Sequence, residues 1–148
     1  MSSVLSLGSN LGDRASHLRL GLSVLEPVAV SPVYETQPWG EPDQPPFLNL
    51  VALCTWDAPE AWRRAVQAEQ ASGRTRQHRW GPRTLDVDVV QAAGTHPALV
   101  LPHPHAHERA FVLVPWLDVD PAAVLEGYGP VADLAVDRSG LRLVGELA

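Results

Sequence analysis

The sequence predicts an α+β sandwich, and three observations predict it. Short strand-like apolar runs alternate with helix-period segments along the chain. Two strand-like runs, residues 28–36 and 48–56, follow one another with only a proline-rich stretch between them. That direct link argues against a doubly wound parallel sheet. The length, 148 residues, suits one domain with one core, spanning 1–148.

The elements follow in order. Residues 3–7 (SVLSL) read as a strand. Residues 8–12 make a turn, and Asp13 caps a helix that carries Ala15, Leu18, Leu22 and Leu25 at helical spacing. Residues 28–36 alternate into a strand. Residues 38–46 (PWGEPDQPP) exclude a helix interior or a central strand and predict a long loop. Residues 48–56 form the next strand. Asp57 and Glu60 mark a helix start, and Gly73 marks its end. Residues 85–91 form a further strand. Shorter apolar pieces lie near 98–101 and 111–114, and the tail from Val131 holds a short helix and a last strand near 141–144.

Composition narrows the function. Hydrophobic residues make up 45% and charged residues 19%, an ordinary globular balance. No 18-residue apolar run spans a membrane, and the first ten residues lack the pattern of a signal peptide, so the expected compartment is the cytoplasm. The lone Cys54 lies in a strand and reads as a buried, inert thiol. A net charge of −6 argues against a general nucleic-acid binder. Yet every one of the 11 basic residues is arginine, and Arg74, Arg76, Arg79 and Arg83 fall within ten positions. Guanidinium groups grip phosphate with a rigid fork, so the cluster predicts local anion recognition; a solvated loop is the plain alternative.

The segment 79–88, RWGPRTLDVD, carries the strongest signal. In a strand, Asp86 and Asp88 project side by side, while Leu85, Val87 and Val89 point into apolar packing. Two adjacent carboxylates call for a cation, and magnesium suits hard oxygen ligands with positions left for substrate phosphates. A solvated sheet face is the bland reading, and the preceding arginines weigh against it. Carboxylates beside guanidinium groups are the parts that polyphosphate transfer needs. Glu69 shares a helix face with Trp62 and Val66, the latter two expected in the core. An acid in a last helical turn needs a compensating partner, and Arg74 and Arg76 follow closely. His103, His105 and His107 stand two apart, but Pro102 and Pro104 make a turn and no cysteine is near, which does not fit zinc. His103 with Arg109 fits a phosphate contact better. Phe47 with Asn49 can hold a flat heterocycle by stacking and edge hydrogen bonds, but taken alone core packing is the better reading of Phe47 and Phe111.

These motifs resemble the 6-hydroxymethyl-7,8-dihydropterin pyrophosphokinase family along nearly the whole chain. The matching segments are LGSNLGD at 7–13, Thr36 through Asn49 with DQP at 43–45 and FLN at 47–49, the core 79–88, Pro102 with His103, and Arg109 to Phe111. The resemblance implies a ferredoxin-like sandwich, an antiparallel-rich sheet with helices on both sides. It implies transfer of pyrophosphate from ATP to the pterin in folate biosynthesis, with AMP as the other product. Asp86 and Asp88 would hold two magnesium ions, with Asp86 also near the pterin. Arg83, His103 and Arg109 would contact phosphates, and Glu69 and, largely through its backbone, Val89 would line the nucleotide site. Arg74, Arg76 and Trp80 would lie on a closing loop. Phe47 and Phe111 would sandwich the pterin, with Asn49, Thr36 and Gln37 at its edge and Trp39 over it. The expected partners are these small molecules, not nucleic acid or membrane, and the expected state is a monomer. Val66, Gln37, Trp39 and Phe47 depart from residues common in the family; none of these removes a metal ligand or a core arginine. A nucleotidyltransferase would place its glycine-serine and paired acids close together, whereas here almost eighty residues separate them. A P-loop kinase needs a lysine that the chain lacks. The non-catalytic alternative is an inactive pterin- or nucleotide-binding module.

Overall fold

The computed structural model describes residues 3–36, 45–73, 84–134 and 137–147. The expected α+β sandwich is observed. The chain runs β1 (Ser3–Ser9), α1 (Arg14–Leu25), β2 (Ala29–Val30), β3 (Val33–Thr36), β4 (Phe47–Cys54), α2 (Ala58–Ala71), β5 (Asp86–Ala92), α3 (Ala110–Val119), a small hairpin of β6 (Val124–Leu125) and β7 (Gly129–Pro130), and β8 (Leu141–Gly145). The main sheet has the order β5-β1-β4-β3-β8, with β2 also on β4, and every pairing is antiparallel. Its first four strands with α1 and α2 make the β-α-β-β-α-β arrangement of ferredoxin-like folds, extended at one edge by β8.

Two cores cover the two faces. On one, Leu18 and Leu25 of α1 and Ala61, Ala65 and Ala68 of α2 pack on Leu5, Leu7, Leu50, Leu85, Val87 and Val89. On the other, Val112, Leu113 and Trp116 of α3 pack on Val4, Val51, Leu53 and Val90. Strand β1 is buried throughout, because β4 and β5 flank it and both faces are covered. Asp13 caps α1 by accepting Ser16 N–H at 3.1 Å, and Asp57 caps α2 by accepting Glu60 N–H at 3.1 Å. Gly73, at φ +75°, follows α2 in the left-handed region, as its position predicted.

Several expectations need correction. The first strand does not stop before Gly8; it runs through Ser9, because Gly8 pairs with both Asn49 and Asp86. The stretch 28–36 is broken at Ser31 and Pro32, where proline supplies no ladder N–H. Ser31 keeps contact with β4 there: its N–H donates to Val51 O, and its hydroxyl accepts Val51 N–H. The piece near 111–114 is the start of a ten-residue helix, with Pro115 inside it. Trp62 and Val66 are half-buried rather than core. An alanine ridge (Ala58, Ala61, Ala65, Ala68) faces the sheet instead and turns the bulkier side chains to the flank.

Candidate active site

Strand alternation builds the acidic part. Leu85, Val87 and Val89 are buried toward α1 and α2, while Asp86 and Asp88 are half-buried on the face that α3 covers. Val90 continues that second face into its core. Arg109 stands immediately before α3 and reaches back, placing Nη1 3.6 Å from Asp88 Oδ2. Its side chain is 14% exposed and that of Asp88 33%, so the ion pair is partly shielded from water. The same guanidinium carbon lies 5.5 Å from the centre of the Phe111 ring, on the first turn of α3.

His103 closes this end. Its backbone N–H donates to Val90 O at 2.8 Å, which docks the 101–105 segment on β5. Its Nδ1 accepts His105 N–H at 3.2 Å, which assigns the ring proton to Nε2. Burial, then the neighbouring Arg109 and His105, hold the imidazole down to about 4, against the opposing pull of Asp86. His103 is therefore a neutral hydrogen-bond donor at pH 7.

One cross-strand step away lies a buried polar cluster. Gly8 of β1 has Asp86 on one side and Asn49 on the other. A Cβ on Gly8 would stand 2.6 Å from Asn49 Oδ1 and 3.4 Å from Phe47 Cδ1, so only glycine leaves room for that amide. Asn49 is 4% exposed, and its Nδ2 donates to Thr36 Oγ1 at 2.6 Å. Thr36 pairs with Phe47 in the β3–β4 ladder. Tyr34, opposite Asn49, donates its hydroxyl to Asp118 of α3 and ties the helix over this face. Burial, then Asp118, push the Tyr34 hydroxyl up to about 12, which keeps it a donor.

The structure thus brings together Asp86, Asp88, His103, Arg109 and Phe111 at one part of the face, and Thr36, Phe47 and Asn49 beside them. The Val89 side chain is buried on the opposite face, which leaves its backbone as the part that can meet a ligand. Glu69 reaches β5 from α2, where its Oε2 accepts Val87 N–H at 2.9 Å. The described donor to this acid is thus a backbone amide; the expected cationic partners Arg74 and Arg76 lie outside the described residues, as do Arg83, Trp80, Gln37 and Trp39. The ends that flank residues 74–83 are tied together. Ser72 Oγ donates to Glu69 O at 2.8 Å and stands 3.1 Å from Thr84 Oγ1. The residue that sequence reasoning misplaced is Gly8, and the one it missed is Arg14, whose Nη1 donates to Pro46 O at 3.0 Å. Gly8 had a signal: a glycine inside a strand pattern often marks a close approach.

The donor set fits magnesium. Two carboxylates sit at i and i+2, and among the described residues no third histidine, cysteine, aspartate or glutamate completes a metal cluster with them. Magnesium takes one or two carboxylates and fills its remaining positions with water and phosphate oxygens. Adjacent carboxylates, a guanidinium and a neutral imidazole donor can bind a metal-bearing polyphosphate. A fixed amide beside aromatic rings can bind a flat, hydrogen-bonding heterocycle.

A site with these two halves fits the chemistry of enzymes that transfer phosphate groups to a heterocyclic substrate. The family model for 7,8-dihydro-6-hydroxymethylpterin-pyrophosphokinase (HPPK) matches residues 4–121, and the chain belongs to this family. It is 45% identical over 168 residues to the 2-amino-4-hydroxy-6-hydroxymethyldihydropteridine pyrophosphokinase of Mycobacterium tuberculosis, covering 95% of this chain and 88% of that protein. It is 49% identical over 144 residues to the enzyme of the same name from Mycobacterium leprae, covering 85% and 75%. With the Methylorubrum extorquens enzyme it shares 41% identity over 152 residues, covering 95% and 96%.

Proposed function

We propose that this chain transfers a diphosphate from ATP to 6-hydroxymethyl-7,8-dihydropterin, releasing AMP and the pterin diphosphate in folate biosynthesis. The observation that carries the reading is the row Asn49–Gly8–Asp86, which sets a buried amide on β4 across β1 from the acid pair on β5.

The residues divide the work. Asn49 is oriented by its bond to Thr36 and keeps an amide edge for the pterin, while Phe47 and Phe111 offer rings for stacking. The fixed pterin would present its hydroxymethyl group toward the acid pair, so the attack becomes effectively intramolecular. Asp86 and Asp88 would hold Mg2+, two ions by family pattern, which would neutralise charge on the phosphate oxygens as a Lewis acid. Arg109 supplies a fixed cation, and His103 an Nε2–H donor that needs no proton transfer to serve. Arg83, Arg74, Arg76 and Trp80 are assigned to the phosphate side of the same site, and Glu69 and the Val89 backbone to the nucleotide side. No covalent intermediate is required.

The test is incubation of the purified chain with ATP, magnesium and 6-hydroxymethyl-7,8-dihydropterin, with nucleotides resolved by chromatography. AMP that forms only when pterin and metal are both present supports the reading. ADP in its place would mean single-phosphoryl transfer. A folded, pterin-binding protein that forms no nucleotide product would be an inactive binder. Asp86→Asn and Asp88→Asn should each lower kcat by roughly 100-fold or more, on the scale of losing a principal electrostatic group.

A further inference from the structure

The two residues that lead into β4, Pro45 and Pro46, have no N–H, so the protein can hold them only through their carbonyls. Both carbonyls are held from the β1–α1 junction. Asn10, 1% exposed, donates Nδ2 to Pro45 O at 3.1 Å. Arg14 donates Nη1 to Pro46 O at 3.0 Å. The same Nη1 reaches Glu35 Oε2 at 3.2 Å, and the other Glu35 oxygen accepts from Arg142 Nη2 of β8 at 3.0 Å.

The positions of these anchors matter. Pro46 immediately precedes Phe47, and Glu35 immediately precedes Thr36. Phe47 and Thr36 are direct partners in the β3–β4 ladder, and Thr36 orients Asn49. One guanidinium therefore ties the two strand ends that carry the ring, the hydroxyl and, through it, the amide of the cluster. Glu35 points to the opposite face from Thr36, as strand alternation requires, so Arg14 works from behind the cluster. The hydrogen bond from Arg142, and that from Arg14, hold the Glu35 carboxyl below its usual range, so the anchor stays ionised.

We infer that Arg14 is a positioning residue for the pterin: its guanidinium joins Pro46 O to Glu35 and so sets Phe47, Thr36 and Asn49 in binding register without touching the substrate. This rests on the pyrophosphokinase reading above. Both bonds leave one nitrogen, Nη1, so a lysine ammonium that reaches this point can keep one or both of them, without the rigid plane of the guanidinium.

The test is steady-state kinetics of Arg14→Met, Arg14→Lys and Glu35→Gln, with thermal melts of each. The expected result for Arg14→Met is a rise of about tenfold in KM for the pterin, the scale of one lost charge-assisted bond, with KM for ATP and kcat within about twofold. Arg14→Lys should recover part of that rise, and Glu35→Gln, which keeps the Pro46 bond, should cause a smaller one. A role in stability alone would lower the melting temperature and leave the pterin KM unchanged, which would overturn the inference; so would equal rises in both KM values. If Arg14→Met does not fold, Glu35→Gln, which removes the charged partner of Arg14, decides on the same split between the two KM values. Wild-type protein that forms no AMP would instead defeat the pyrophosphokinase reading, whereas active wild type with an unmoved pterin KM in the variants defeats only the role of Arg14.

Discussion

The Glu69 carboxylate accepts the backbone N–H of Val87, the residue that separates Asp86 from Asp88, at 2.9 Å. Strand β5 is the edge of the sheet, with β1 as its only ladder partner among the described residues. The Val87 amide points outward from β1, and an acid at the end of α2 receives it. The helix thereby holds the strand that presents both acids.

Glu69→Ala should leave that buried N–H without this acceptor and cost about 1–3 kcal/mol of stability. It should also lower kcat, since β5 would present its acids less firmly. Glu69→Gln retains an acceptor oxygen and should recover most of the stability. Urea denaturation of the three proteins checks this; an Ala variant as stable as wild type would remove the clamp from the account.

Gly8→Ala tests the geometry of the polar cluster. Its methyl would meet Asn49 Oδ1 at 2.6 Å, and Asn49 has little freedom to move while Thr36 holds it. The expected cost is about 1–3 kcal/mol, as for other overpacked sites. The pterin KM should rise at least about tenfold, with KM for ATP less affected. Calorimetric titration with the pterin measures the same loss directly, and unchanged affinity would contradict the close approach.

His103 makes stability depend on pH. Its folded-state value is about 4 against an ordinary 6.5, so between those values the unfolded chain binds a proton that the folded chain refuses. Stability is then full above pH 6.5, falls as pH drops toward 4, and levels off once the folded imidazole protonates. The carboxyls held low, Asp13, Glu35, Glu60 and Asp137, act below their unfolded values of 3.8 to 4.5, at the acid end. His103→Gln should flatten the slope between pH 6.5 and 4.5 in denaturation curves. A slope equal to wild type would assign it to other groups.

Cys54 should be silent. Burial pushes its thiol up to about 11, against a small opposing effect of Arg64, so little thiolate exists near neutrality. At pH 8 a disulfide reagent should label the native protein only at the rate at which it unfolds, and the urea-denatured protein at once. Rapid labelling of the native chain would contradict its burial.

The acids of β5 were legible because strand alternation is local: Leu85 to Val89 alternate in sequence and in burial. Both helix caps and the Gly73 stop were legible for the same reason, since each depends on residues within a few positions. Trp62 and Val66 were misread because helical spacing names a face without saying which face a sheet will accept, and the alanine ridge was the one that fitted. The helix at Ala110–Val119 was obscured by Pro115, which a propensity argument penalises and tertiary packing over the second core tolerates.

By itself the sequence determined the alternation of strands and helices, the acid pair, the run of arginines before it and the family to which they point. These are properties of neighbours along the chain. Only the tertiary structure decided that Gly8 lies between Asn49 and Asp86, that Glu69 reaches Val87, and that Arg14 joins Pro46 to Glu35. Those pairs are 18 to 78 residues apart, except for Glu35 and Pro46, which are both reached by one guanidinium. Their contact depends on strand register and helix rotation, which no local pattern specifies, because burial of two opposed sheet faces sets them for the whole chain at once.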